Sequence, residues 1–316
     1  MNKVWRAAFA VALILAVFLI QGCAFPSSTA KTTASETNSY ELVPVNPAKL
    51  GTVERDITYG TADGVDLKMD IYYPEHAAGA VPAVLYVHGG AWIGGDKREG
   101  AGTAEIPELR SRGYLVAAVN YRLAPDYKFP AQIEDVKCAV RYLRANAAAY
   151  GIDPARIGAW GGSAGGHLVS LLGTTDASAK FDGDGGWTDE SSRVQAVVDM
   201  FGPTDLKALS EGDPRFLYML FGTINRNAGI VKKANPITWI SRDDPPFLIL
   251  HGEYDEMVPV SQSEILYDAL LAKGIPATLV IVENAGHGFA PVGGPITPGR
   301  SEISDMVAEF FDQYLK

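Results

Sequence analysis

Cysteine is nearly missing, with only Cys23 and Cys138 in 316 residues. Two thiols cannot build a disulfide framework, so the fold must rest on a buried apolar core. Long apolar runs are missing as well. The uncharged run Ala7–Ile20 has 14 residues, short of the roughly 20 that span a bilayer as a helix. Positive charge is in short supply, since 27 Lys and Arg face 37 Asp and Glu for a formal charge of −10. Without residues 1–22, which hold Lys3, Arg6 and no acid, the charge becomes −12. Such a body repels phosphate backbones, which argues against nucleic acid as a partner. Histidine is scarce too: His76, His88, His167, His251 and His287 are all there are, so the search for an imidazole base is short.

What is present suits a globular domain. Hydrophobic residues make up 47% and charged residues 20%, and the 33 glycines and 19 prolines read as turns between short elements. Lys3, Arg6 and the apolar run form the n- and h-regions of an export signal. Leu19-Ile20-Gln21-Gly22-Cys23 then resembles the lipobox of bacterial lipoproteins. That resemblance implies a signal over 1–22, cleavage before Cys23 and a lipid on its thiol. The protein would then be exported and anchored to the outside of the cytoplasmic membrane or to the outer membrane, leaving Cys138 as a packing residue. Residues 23–49 are rich in Ser and Thr without periodicity and read as a flexible tether, with the catalytic body over 50–316.

From about residue 50 strands and helices alternate. Val53–Tyr59 and Asp66–Tyr73 suggest a hairpin across Ala62-Asp63-Gly64. Val81–Val87 is continuously apolar, as a strand buried on both faces must be. A helix is expected at 103–112 and a strand at 114–120. After Pro130, the stripe Ile133, Val136, Val140, Leu143 and Ala147 predicts one long helix closed by Gly151. A short strand, Arg156–Trp160, runs into a glycine-rich turn and a helix at 164–173. Strands at 194–200, 246–250 and 277–282, with helices at 261–273 and from 300, complete the series. The pattern is an α/β fold with a mostly parallel, eight-stranded, doubly wound sheet and an antiparallel edge. Residues 204–245 fit no simple crossover and read as an inserted lid.

The turn between strand and helix is Gly161-Gly162-Ser163-Ala164-Gly165. A nucleophile on so sharp a turn needs glycines two residues either side, because side chains there would strike the backbone. The helix that follows aims free N–H groups at a developing oxyanion. Ser163 is therefore the candidate nucleophile. With the chain order nucleophile, acid, base, His287 in Asn284-Ala285-Gly286-His287-Gly288-Phe289 is the histidine placed to take its proton. Glu253, Asp255 and Glu256 follow the preceding strand as candidate acids, and Asp205 follows the one before that, where it would otherwise cap a helix. His88-Gly89-Gly90-Ala91-Trp92 supplies a second loop of small residues. Gly90, Ala91 and Ala164 are expected to donate to the oxyanion and Gly89 to shape the turn, while Trp92 reads equally as a lining of the acyl pocket or as core. His76, His88, His167 and His251 read as structural. Asp182-Gly183-Asp184 hints at calcium, but an EF-hand register puts Trp187 at the required glycine and Arg193 at the bidentate glutamate. It is read as a solvated loop, and neither a metal nor a cofactor is expected.

The HGGAW loop at 88–92, Asn120-Tyr121-Arg122-Leu123-Ala124-Pro125, the 161–167 turn and the boxes around 255 and 287 together resemble the acetyl-xylan/feruloyl-esterase-like branch of α/β-hydrolases, near the hormone-sensitive lipase family. The resemblance runs from about residue 50 to the C-terminus and implies a Ser163–His287–Asp255 triad, Asp255 standing at the family's Asp-x-x-Val-Pro. It implies hydrolysis of carboxylic esters with modest acyl groups through an acyl-enzyme. Ala91 in place of a third glycine and Gly162 in place of an aspartate depart from the lipase pattern. An amide-bond hydrolase and a non-catalytic surface lipoprotein are the other readings, and the insert at 204–245 with loop 176–193 is expected to shape the pocket.

Overall fold

The computed structural model describes residues 40–211 and 214–316; the signal, Cys23 and most of the tether lie outside them. The chain forms an eight-stranded sheet in the order β1-β2-β4-β3-β5-β6-β7-β8. The strands are β1 (Val53–Ala62), β2 (Val65–Tyr72), β3 (Val81–Val87), β4 (Leu115–Val119), β5 (Ile152–Gly162), β6 (Ala196–Met200), β7 (Phe247–Gly252) and β8 (Ala277–Val282). β1 and β2 pair antiparallel, as do β2 and β4. All other neighbours are parallel.

The period-2 alternation of strand side chains divides the core in two. Ala83, Leu85 and Val87 of β3 face one layer, with Val136, Val140, Leu168 and Leu172. Val84 and Tyr86 face the other, with Leu109, Ile303, Val307 and Phe311. The first layer is covered by α2 (Ala131–Ala145) and α4 (Ala164–Thr174), and the second by α1 (Ile106–Ser111) and α9 (Arg300–Leu315). β3, β4 and β6 are buried at every position, which is why β3 and β4 read as unbroken apolar runs and β6 as one broken only by Asp199.

Three expectations need correction. The body begins before residue 50: Val45 is buried, lies against Gly151 and donates to Gly79, and the Tyr40 hydroxyl donates to Glu190 at 2.6 Å. The long helix breaks at Asn146 into α2 and the single turn α3 (Ala147–Tyr150), which Gly151 ends at φ 71°. The strand before Ser163 is longer than Arg156–Trp160, because Ile152 still pairs with Val81 across Asp153-Pro154-Ala155. The insert between β6 and β7 carries α5 (Leu206–Leu209), α6 (Arg215–Phe221) and α7 (Gly229–Lys233). α8 (Ser261–Ala272) crosses from β7 to β8.

Candidate active site

Ser163 stands between β5 and α4 at φ 57° and ψ −122°, a backbone state that costs free energy and persists only when its surroundings enforce it. The glycines show how. A Cβ on Gly165 would sit 2.1 Å from the Val87 carbonyl oxygen, and one on Gly161 would sit 2.6 Å from the same atom. At Gly162, where the lipase pattern has an aspartate, a Cβ would come within 2.9 Å of the Phe201 ring. Phe201 in turn packs edge-on against His287, with ring centroids 4.9 Å apart. An aromatic wall on the base has taken the space of a side chain at 162.

β7 and β8 deliver the other two groups. His287 Nδ1 lies 2.7 Å from Asp255 Oδ2. The second oxygen, Oδ1, accepts the backbone N–H groups of Met257 and Val258, each at 2.9 Å, so the carboxylate cannot rotate freely. Burial by itself would raise the Asp255 pKa, but the His251 N–H 3.5 Å away and hydrogen bonds from His287 and the Val258 N–H outweigh it and hold the carboxyl well below the ordinary carboxylate range. An ionised Asp255 accepts a hydrogen bond from His287 Nδ1–H and leaves Nε2 as the acceptor. The rival acids are engaged elsewhere. Glu253 accepts from the Asn284 N–H, and Asp205 caps α5 through Lys207 and Ala208. Ser163 and His287 line one cavity of about 390 Å³, with Gly90, Ala91, Ala101 and Met257 among its walls.

The 88–92 loop is built by close approach. A Cβ on Gly90 (φ 105°) would lie 2.2 Å from the Gly94 carbonyl oxygen, and one on Gly89 would lie 2.9 Å from that of Gly162. Ala91 follows at φ 51°. His88 braces the turn: its Nδ1 is 2.7 Å from the Gly89 oxygen and its ring stacks on Tyr121, whose hydroxyl donates to the His88 carbonyl. Burial lowers the His88 pKa. A charge cluster absent from the sequence reading clamps the same loop. Buried Asp70 of β2 accepts from Arg98 at 2.7 Å and Arg55 at 2.6 Å, and the Lys97 ammonium reaches Asp56 at 2.8 Å. No local spacing signals it, because its members come from β1, β2 and the loop.

Of its two readings, Trp92 takes the core one. It is 3% exposed, its indole N–H donates to His167 Nδ1 at 3.1 Å, and it stacks on Phe216 of the insert instead of lining this cavity. His167 is fully buried with Nε2 2.7 Å from the Ala234 carbonyl, and burial lowers its pKa to about 4. Among the described residues, neither the insert at 204–245 nor loop 176–193 lines this cavity; Gly95, Glu99, Gly100, Phe201, Met257 and Gly288 do. The insert instead buries Leu217, Leu220 and Val231 on the body. In the supposed calcium loop, Asp182 lies 3.6 Å from Lys137 and 3.7 Å from Arg141. Among the described residues, no group of three or more His, Cys, Asp or Glu is placed to hold a metal. Cys138 is buried beside Gly60 and Gly185, its thiol pushed up to about 11 by burial.

The BD-FAE family model matches residues 69–270. Over 220 residues the chain is 36% identical to the probable carboxylic ester hydrolase LipM of Mycobacterium tuberculosis, covering 67% of this chain and 49% of that one. It is 29% identical to the isoprenylcysteine alpha-carbonyl methylesterase ICME of Arabidopsis thaliana, over 81% and 61%. The chain spans about half the length of the mycobacterial relatives it matches. Among solved structures, a truncated carbohydrate esterase from gut microbiota superposes with a TM-score of 0.70 at 30% identity, over 85% of this chain and 99% of that one. Propionate-bound esterase 2 of Thermogutta terrifontis gives 0.69 at 28% identity, over 84% and 96%. With its sheet order, its strained serine turn and these matches, the chain belongs to the BD-FAE family of α/β-hydrolases.

Proposed function

We propose that this protein is a serine carboxylic-ester hydrolase, acting on short to medium acyl esters, including acetyl and aryl esters. The observation that carries the reading is His287 pinned to Asp255 at 2.7 Å while sharing a cavity with a strained Ser163. Ser163 Oγ attacks the ester carbonyl and gives its proton to His287 Nε2, and Asp255 stabilises the imidazolium. The oxyanion meets the backbone N–H groups of Ala164, Gly90 and Ala91. His287 then returns the proton to the departing alcohol, and water activated by the same imidazole frees the acid. Each step uses side chains and amides of this chain. Relatives and neighbours known as esterases, one of them with propionate bound, support the ester class and a small acyl group.

Turnover of p-nitrophenyl acetate and octanoate, set against a p-nitroanilide, tests it. We expect ester cleavage that Ser163→Ala abolishes, and labelling of Ser163 by a fluorophosphonate. Faster anilide cleavage would favour an amide hydrolase, and no turnover with no labelling would sink both. We also propose that a lipid on Cys23 tethers the body outside the cytoplasmic membrane. Cys23→Ser should then shift the protein from the membrane to the aqueous fraction, and an unchanged distribution would refute the anchor.

A further inference from the structure

His251 ends β7 with its ring fully buried. Its Nδ1 is 2.6 Å from the Ser263 hydroxyl on α8. Its Nε2 is 2.8 Å from the Val258 carbonyl oxygen and 3.5 Å from Asp255 Oδ2. Those contacts settle the tautomer. A carbonyl and an ionised carboxylate only accept, so Nε2 carries the proton and Nδ1 accepts from Ser263 O–H. The N–H is shared, mainly with Val258 and at longer range with Asp255. The oxygen it approaches, Oδ2, is the one that orients His287.

We infer that His251 is a positioning residue of the triad, presenting a second imidazole N–H to the carboxylate oxygen that aligns the base. The inference rests on the ester-hydrolase reading for its consequence in turnover, though not for its geometry. Asp255 has two tasks when His287 becomes charged: to keep its oxygen in line with Nδ1, and to remain the ionised partner. Met257 and Val258 N–H groups hold Oδ1; His251 does the corresponding work at Oδ2. Ser263 makes the arrangement one-directional, because its hydroxyl occupies Nδ1 and keeps the proton on the triad side. The other charged groups in reach are few. Asp199 of β6 faces His251 from the sheet, satisfied by Ser170 at 2.7 Å and the Gly202 N–H at 2.8 Å. Glu253, which accepts from the Asn284 N–H, and Glu256 are exposed on the loop between, and α8 contributes the Ser263 hydroxyl.

An N–H on Oδ2 draws part of the carboxylate's charge away from His287. Removing it leaves Asp255 a stronger partner for the imidazolium, so His287 should protonate at higher pH while its alignment loosens. The test uses the full chain with His251→Phe, which keeps a ring without the N–H, His251→Gln, whose amide can return an N–H, and Ser263→Ala, which frees the tautomer. In His251→Phe we expect kcat on p-nitrophenyl acetate to fall about tenfold with KM little changed, and the acid limb of the pH profile to move up. Nitrogen-detected NMR titration of His287 should show the same upward move without any substrate. His251→Gln should recover most of both, and Ser263→Ala should move the limb the same way by less. A folded His251→Phe chain with unaltered kcat and an unmoved His287 titration would overturn the inference. Should that chain fail to fold, an unmoved titration in Ser263→Ala would overturn it. Loss of the ester-hydrolase reading is a separate result: the unaltered protein would show no turnover, while the NMR titration would still decide the role of His251.

Discussion

Three carboxylates stand within four residues at 253–256, and geometry gives them unequal work. Asp255 has both oxygens engaged by N–H donors, one of them from His287, whereas Glu253 holds the Asn284 amide and reaches no histidine. Asp255→Asn would turn an N–H toward Nδ1 and favour the wrong tautomer, so kcat should fall by about 10⁴, the loss known for that exchange in a serine protease triad. Glu253→Gln and Glu256→Gln should stay within a few-fold. A large loss in either glutamine variant, with Asp255→Asn active, would reassign the acid. At this scale the serine, the histidine and the glycines were legible because a sharp nucleophile turn admits few residue types. Elimination from five histidines did the rest. The link from His251 to Asp255 was not legible: a histidine before a strand-end glycine reads as a brace, and only the folded turn brings its N–H to the acid. Trp92 stayed open between pocket and core because one aromatic beside a glycine loop carries no direction.

Among elements, the loop from His88 to Ala101 carries the most chemistry and the least regular structure. Two things hold it: glycines that let it lie against the Ser163 turn, and the charge cluster behind it. Asp70 is fully buried, and burial would raise its pKa. Arg98, the Asp56 N–H and Arg55 together lower it. Asp70→Asn leaves buried Lys97 and half-exposed Arg98 and Arg55 facing a neutral amide. Part of that charge reaches solvent, so the cost should be about 2 kcal/mol, below that of breaking a fully buried pair. Because the loop carries Gly90 and Ala91, the proposed oxyanion donors, kcat should fall with it. A melting midpoint and a kcat both unchanged would show that the cluster does not hold the loop. Strands buried on both faces were readable as apolar runs, but this clamp unites residues some 40 positions apart. The role of the insert was also hidden. Its apolar residues signalled burial without saying whether they bury against substrate or, as Phe216 does on Trp92, against the body.

Across the whole molecule, the wall of the cavity is tied to the last helix by a pair between partly exposed Arg300 and buried Glu105. Arg300, at the start of α9, donates to the Ala101 carbonyl at 2.9 Å and to Glu105 at 3.2 Å, with its guanidinium 5.2 Å from the Phe289 ring. Glu105 is fully buried, one of its oxygens and one Arg300 nitrogen have no hydrogen-bond partner, and burial pushes its pKa up to about 7 against the pull of Arg300. The sign is opposite to that of Asp255 and Asp70. Their carboxyls are held low, so the stability they add is present above the ordinary carboxylate value near 4 and lost as pH falls through the folded value. Glu105 is held high, so its contribution is present below its ordinary value of 4.5 and lost as pH rises through about 7. Folding stability should therefore peak between those limits and decline from about pH 5 to 8 by at most about 3 kcal/mol on account of this one group. Glu105→Gln keeps the shape and cannot ionise. Its melting midpoint should lose that decline and match or exceed the parent's above pH 7. Two parallel midpoint curves from pH 5 to 9 would show that the buried carboxyl ionises at no cost, with Arg300 offsetting its burial in full.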